Sequence, residues 1–200
     1  FEHSLHYHEL GCEMAAAYVL LCRRNSRPIA SATLERIELM LGFQAGLAGP
    51  GSVTVPFGDA TEDPLFGLDT GDGWATAGLR ELYRALFRPD LSPAEPARTS
   101  VARAFWLLGG ALAPRESLSD DREDGPRLWP DGGFSVLPDG RGSARLLFRT
   151  GPAIHQDLVA GHMHADLLSV CVTHGNQAVF TDPGTWCYRW RSGETGPRRA

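Results

Sequence analysis

The chain contains no lysine: all nineteen of its basic residues are arginine, against twenty-four acidic ones. With a net charge of −5 and no basic stripe, nonspecific nucleic-acid binding is excluded, because that function needs clustered cations to pair with phosphates. An acidic balance does not exclude an acidic polymer as ligand. It requires only that attraction come from a local cleft rather than from the whole surface. The arginine bias matches a GC-rich coding sequence first, and it also fits arginine forks chosen for carboxylate and sulfate groups. Long hydrophobic runs are also missing. The longest, near residues 15–22, falls well short of the roughly 20 apolar residues that span a bilayer, so no transmembrane segment is expected. Cysteine is scarce, with four in the chain and no CxxC spacing. Cys12 and Cys22 share one helical pattern about 15 Å apart by helical rise, too far to bridge, and buried free thiols are the default. Cys171 and Cys187 fall in strand-like runs that would allow them to be neighbours.

What remains is ordinary for a globular chain: 42% hydrophobic and 22% charged residues, enough in 200 residues for one domain or parts of two. The sequence opens on Phe1 in what reads as the interior of a motif, with no visible signal peptide. An internal piece of a longer protein is therefore expected.

The first half reads as helices. Over residues 6–24, Leu10, Met14, Ala17, Tyr18 and Leu21 recur at spacings of three and four, predicting one buried stripe. Asn25, Ser26 and Pro28 end it. Ser31 or Thr33 caps a second helix reaching about residue 48, with Leu34, Ile37, Leu41 and Ala45 inward. Residues 52–72, rich in Gly, Asp and Pro, read as a long ordered loop. Further helices are predicted near residues 74–87 and 97–111, as in an array of helical hairpins. Residues 113–131 shift to charged and proline-containing composition and read as a linker. Thereafter short β-branched or aromatic runs at 134–137, 144–149, 167–174, 178–181 and 185–190 predict antiparallel strands, with Gly175-Asn176 as a hairpin turn. This half is expected to be one layer of a β-sandwich. No internal repeat is present.

The candidate chemistry lies in Gly161-His162-Met163-His164-Ala165-Asp166. In an extended segment His162 and His164 project to one side, because side-chain direction has period two. Asp182 closes the next predicted strand, and neighbouring strands would bring it beside one of the histidines. Such a His/Asp group binds zinc or moves protons. The HxHxD spelling equally fits a metal-dependent hydrolase in which His162, His164 and Asp166 hold a catalytic metal. Read alone, Tyr7 fits an ordinary amphipathic helix, and His3, His6 and His8 around it are expected to be solvated or helix-capping. Asp59 reads as a loop residue in an Asx-turn, and Asp166 as a turn residue or a partner orienting a histidine. Trp106, Trp186 and Trp190 fit either sugar stacking or packing.

The run GHMHADLLSVCVTHGNQAVFTDPGTWCY resembles the β domain of the heparinase II/III-like polysaccharide lyases. Leu168-Ser169, Asp182-Pro183-Gly184-Thr185 and Tyr188 fill the family's places in order. The strand at Gly133-Phe134, the Leu146–Phe148 run and Gly151-Pro152 resemble the entry to that domain. Phe1-Glu2-His3-Ser4-Leu5-His6-Tyr7-His8 is similar to a helix start of the family's (α/α) toroid, and Gly58-Asp59 after Pro56 resembles its proline-glycine-aspartate loop. The resemblance is specific in the β half, moderate around Tyr7 and loose over residues 61–127.

It implies an α+β multidomain architecture: (α/α) toroid hairpins over residues 1–112, the linker, and the first part of the antiparallel β-sandwich domain over 132–200. It also implies a lyase cleaving an acidic, uronate-containing polysaccharide, such as a glycosaminoglycan or alginate, by β-elimination. The expected location is periplasmic or cell-envelope, or else secreted. By position, Tyr7 and His162 match the family's proton-transfer residues, while His164 and Asp182 match residues that hold a structural zinc ion. The family's carboxylate-binding Asn or His would precede Phe1, and its remaining zinc ligand would follow Ala200, so this piece alone would carry an incomplete set. A silent carbohydrate-binding relative serving exopolysaccharide assembly is a further implied alternative. Substrate identity and oligomeric state are not encoded in any feature of the sequence.

Overall fold

The computed structural model describes residues 3–47, 56–60, 65, 76–88, 102–109, 125–141, 143–151, 162, 164–175, 177–182 and 184–185. Within them four helices precede five strands: α1 (Leu5–Arg24), α2 (Ser31–Leu47), α3 (Thr76–Phe87), α4 (Ala102–Leu107), β1 (Arg127–Trp129), β2 (Phe134–Pro138), β3 (Ala144–Arg149), β4 (Val170–His174) and β5 (Gln177–Phe180). This is the expected α+β order, helices first and an antiparallel sheet after.

Local chemistry sets the ends of α1. Ser4 stands just outside the first turn, and its hydroxyl accepts the Tyr7 amide at 3.1 Å, an N-cap that satisfies one of the helix's orphan donors. At the other end the Arg27 amide donates to the Cys22 carbonyl at 2.8 Å and the Ser26 amide to the Arg23 carbonyl at 3.3 Å. Ser26 sits at φ 51°, so this paired left-handed cap is built on serine instead of the usual glycine.

The chain divides into two compact units. One comprises Glu9–Thr54 and Asp63–Glu123. Its core joins Cys12, Ala16 and Val19 of α1 to Ile37 and Leu41 of α2, Leu79, Leu82 and Leu86 of α3, and Ala104 of α4. Here α1 departs from the sequence reading. Met14, Tyr18 and Leu21 of the expected inner stripe are 55%, 46% and 62% exposed, and the buried face carries Glu13, at 0%, among small residues. Small side chains at Cys12 and Ala16 admit neighbouring helices closely, and two glutamates on the same side, Glu9 and Glu13, disguise that face in the sequence.

The other unit comprises Phe1–His8, Val55–Glu62 and Asp124–Ala200. Its sheet runs β1-β2-β3-β4-β5 in space, every pair antiparallel. Phe134, Val136, Leu147, Arg149, Cys171 and Thr173 form the buried face. On the opposite face Leu137, Leu146, Val172 and Phe180 lie in register across four strands. Leu137 and Phe180 there are 43% and 62% exposed, so both faces of the sheet are apolar, as in a layer of a sandwich.

Two boundaries differ from expectation. β1 occupies Arg127–Trp129, inside the stretch read as linker, where the flanking charges and prolines mask a three-residue strand. β4 starts at Val170 and not at residue 167, because the Ser169 amide donates to the Asp166 carbonyl at 2.9 Å and closes a turn. Leu168 takes φ 67° in that turn, a conformation that its side chain disfavours. The expected β4–β5 hairpin forms, with Gly175 at φ 55° as the turn type requires. The charge run at 120–124, the strand expected over 185–190 beyond Thr185, and Cys187 lie outside the described residues.

Candidate active site

The candidate His, Tyr and Asp residues belong to the sheet-containing unit, and residues 57–60 organise them. Phe57 is fully buried edge-to-face against Phe134, with ring centroids 5.8 Å apart, and anchors this segment to the sheet. The Leu5 amide donates to the Phe57 carbonyl at 3.0 Å. Gly58 follows at φ 75°, and a Cβ there would lie 2.7 Å from the His162 carbonyl oxygen and 2.8 Å from Ser4 Cα. Only glycine admits both the backbone conformation and that approach.

Asp59 contacts three parts of the site. Its amide donates to the His162 carbonyl at 2.8 Å. Its own carbonyl accepts the Ser4 hydroxyl at 2.5 Å. Its carboxylate Oδ1 lies 2.6 Å from His164 Nε2 and accepts the Thr185 hydroxyl at 3.3 Å. Both side chains of the Asp59–His164 pair are 2% exposed. A carboxylate only accepts, so the imidazole proton of this pair sits on Nε2. His164 Nδ1 is then buried with no hydrogen-bond partner among the described residues. The Asx-turn expected of Asp59 is thus replaced by a buried side-chain pair.

Tyr7 and His162 meet face to face. Their ring centroids are 3.7 Å apart and their planes differ by 6°. Both rings are half-buried. Tyr7 also lies edge-on to His6 at 5.5 Å. His3 and His6, expected to be solvated or capping, are both 7% exposed. His3 Nδ1 accepts a hydrogen bond from Arg149 Nη2, which places the His3 proton on Nε2 because a guanidinium only donates. Arg149 also donates from Nη1 to the Gly132 carbonyl at 2.6 Å and lies over the Phe134 ring at 4.4 Å. Burial pushes its pKa down, and the nearby Asp166 carboxylate opposes that shift.

Asp166 accepts the Gly58 amide on Oδ2 at 2.7 Å. Burial raises its pKa, the Asp182 carboxylate adds to the rise, and the Gly58 hydrogen bond, His164 and Arg149 work against it. Asp182 accepts the Gly184 amide at 2.7 Å, and its own amide donates to Cys171 Sγ at 3.3 Å. Burial raises the Cys171 thiol pKa.

The HxHxD segment therefore splits its side chains among different partners. His162 stacks on Tyr7, His164 pairs with Asp59, and Asp166 holds Gly58. Among the described residues no group of three or more His, Cys, Asp or Glu side chains gathers around a common point. A catalytic metal on His162, His164 and Asp166 does not fit this geometry. For a structural zinc ion, His164 Nδ1 and Asp182 are suitable donors, but no described hydrogen bond or ion pair joins the two residues, and a structural site needs about four ligands.

Sequence reasoning singled out Tyr7, His162, His164 and Asp182, and the structure brings the first two together. It missed the Asp59–His164 pair, the Ser4 bridge and the Arg149–His3 contact. Ser4 had a local signal, a serine three residues before Tyr7 at a helix start. Arg149 had none, being one arginine among nineteen. Trp106 is 63% exposed on α4, in the other unit; Trp186 and Trp190 lie outside the described residues.

Residues 121–198 match the family model for the heparinase II/III-like C-terminal domain. No curated protein and no solved structure matches the chain.

Proposed function

We propose that this chain, whose residues 121–198 match the heparinase II/III-like C-terminal family model, belongs to a lyase that cleaves a uronate-containing polysaccharide by β-elimination. Tyr7 and His162 act as its proton-transfer pair. The observation that carries the reading is their stack at 3.7 Å, which joins a helix start to the histidine segment far along the chain.

In the elimination the base takes the proton at C5, the C5–H electron pair becomes the C4=C5 double bond, and the C4–O4 bond breaks. O4 leaves with a proton supplied by the acid. A neutral imidazole accepts protons and a phenol donates them, so adjacent His162 and Tyr7 supply both functions. The C5 proton is weakly acidic until the neighbouring uronate carboxylate is neutralised. His3 and Arg149 form a buried polar contact within the same unit as Tyr7 and His162. A structural zinc ion held in part by His164 Nδ1 and Asp182 completes the proposal; it would supply rigidity to the histidine segment. The same reading puts the enzyme where such polymers occur, in the periplasm, at the cell envelope or outside the cell, as part of the proposal.

The test is the full-length protein on a panel of uronate polymers, followed by absorbance of the unsaturated 4,5 product. Tyr7→Phe and His162→Ala should each lower turnover by about 10²–10⁴-fold, the usual contribution of a positioned acid or base. The double variant should lose less than the product of the two factors. Turnover of Tyr7→Phe within about threefold of the original would remove Tyr7 from the mechanism.

A further inference from the structure

Tyr7 and His162 stack face to face with ring centroids 3.7 Å apart. A continuous chain of hydrogen bonds does run from one backbone to the other. The Tyr7 amide donates to Ser4 Oγ at 3.1 Å, and the Ser4 hydroxyl donates to the Asp59 carbonyl at 2.5 Å. Across the same residue, the Asp59 amide donates to the His162 carbonyl at 2.8 Å. Ser4 is fully buried, and Gly58 beside it lets the Ser4 and His162 backbones both approach the place that a Cβ would fill.

A serine hydroxyl is compact and neutral and can accept from one backbone group while donating to another. In an ordinary N-cap, the serine oxygen accepts from the helix and its proton faces water. Here the proton goes to a loop that also holds the histidine. One side chain thus serves as the helix cap and as the link between the two reacting groups.

We propose that Ser4 is a positioning residue: its hydroxyl, acting through the backbone of Asp59, whose carbonyl and amide lie on either side of its Cα, sets the distance and orientation of Tyr7 against His162. The proposal rests on the reading of Tyr7 and His162 as the proton-transfer pair. Ser4 itself moves no proton in the reaction.

Two measurements on the full-length protein test it. The first is turnover of uronate polymer by Ser4→Ala, Ser4→Thr, Tyr7→Phe and the Ser4→Ala/Tyr7→Phe double variant. Ser4→Ala should lower kcat by about 10- to 100-fold, the scale on which a misplacement near 1 Å acts, with KM changed by less than about threefold. Ser4→Thr, which keeps the hydroxyl, should recover most of that loss. In the Tyr7→Phe background, adding Ser4→Ala should change kcat by less than about twofold, since the group being positioned is already gone. An equal loss in both backgrounds would show Ser4 to be a structural cap only and overturn the proposal.

The second measurement needs no activity. With ¹³C/¹⁵N-labelled histidine, the His162 ring signals should carry the ring-current shift of the stacked Tyr7. They should move toward free-imidazole positions in Ser4→Ala and stay in place in Ser4→Thr and Tyr7→Phe. His162 signals unmoved in a folded Ser4→Ala variant would overturn the proposal whatever the kinetics. Should Ser4→Ala not fold, Ser4→Gly replaces it, because glycine is nearly as good an N-cap but lacks the hydroxyl. A protein that forms no unsaturated product defeats the lyase reading, and the ring signals still decide whether Ser4 holds the stack.

Discussion

Replacing Asp59 by alanine tests whether the loop is a solvated turn or the anchor of the histidine segment. The carboxylate is buried with His164, both side chains 2% exposed, and it takes the ring N–H at 2.6 Å and the Thr185 hydroxyl at 3.3 Å. Removing it leaves the His164 Nε2–H buried without its acceptor, and a hydrogen bond to a charged group contributes about 1.5–3 kcal/mol. Breaking a buried pair by deleting one partner costs about 3–5 kcal/mol where the remaining group keeps its charge. Thr185 Oγ1 stands 3.4 Å from His164 Nε2 and can take up part of the loss. A destabilisation of about 3 kcal/mol is therefore expected for Asp59→Ala. Asp59→Asn keeps the volume and one acceptor oxygen and should cost about half as much. Deleting both partners leaves no orphan, so His164→Ala added to Asp59→Ala should cost less than it does alone, with a coupling near 2 kcal/mol. Urea unfolding followed by circular dichroism, with m-values compared across the set, reads all four free energies. An Asp59→Ala variant within about 0.5 kcal/mol of the parent, as for an ordinary surface position, would refute the reasoning.

Ser26→Gly relieves a left-handed conformation costing a non-glycine residue about 1–2 kcal/mol, against about 0.5–1 kcal/mol of added chain entropy in the unfolded state. It should stabilise the protein by about 0.5 kcal/mol in the same urea assay, and a loss of stability would argue against the Ser26 cap. The pH dependence of unfolding should separate two aspartates. At Asp139 the amide of Ala144, then the Ser143 side chain, hold the carboxylate below its ordinary pKa, so its contribution is complete above about pH 4 and lost as pH falls through the folded-state value. Asp139→Asn should accordingly match the parent most closely in acid. At Asp166 burial raises the pKa, so stability falls as pH rises from about 4 through the folded-state value. Asp166→Asn should remove that fall, and unchanged unfolding profiles between about pH 3 and 6 would contradict both assignments.

The sequence by itself determined whatever depends on neighbours a few residues away. The end of α1 follows from Asn25, Ser26 and Pro28, the β4–β5 hairpin from Gly175-Asn176, and the β2 and β3 ranges from their β-branched and aromatic runs. The HxHxD spelling drew attention to His162 and His164 for the same reason. What only the tertiary structure decided is what each side chain meets. Periodicity marks α1 as a helix, yet Met14, Tyr18 and Leu21 stand exposed while Cys12, Ala16 and Val19 enter the core. A stripe of large apolar residues and a stripe of small ones satisfy the same period, and the neighbouring helices select between them. Asp59 and His164 are separated by 105 residues, and nothing local distinguishes a loop aspartate bound to its own backbone from one bound to a distant ring. Gly58 lets the backbones of Ser4 and His162 pass close by, near the Tyr7–His162 stack, a constraint set by space and not by the order of residues along the chain.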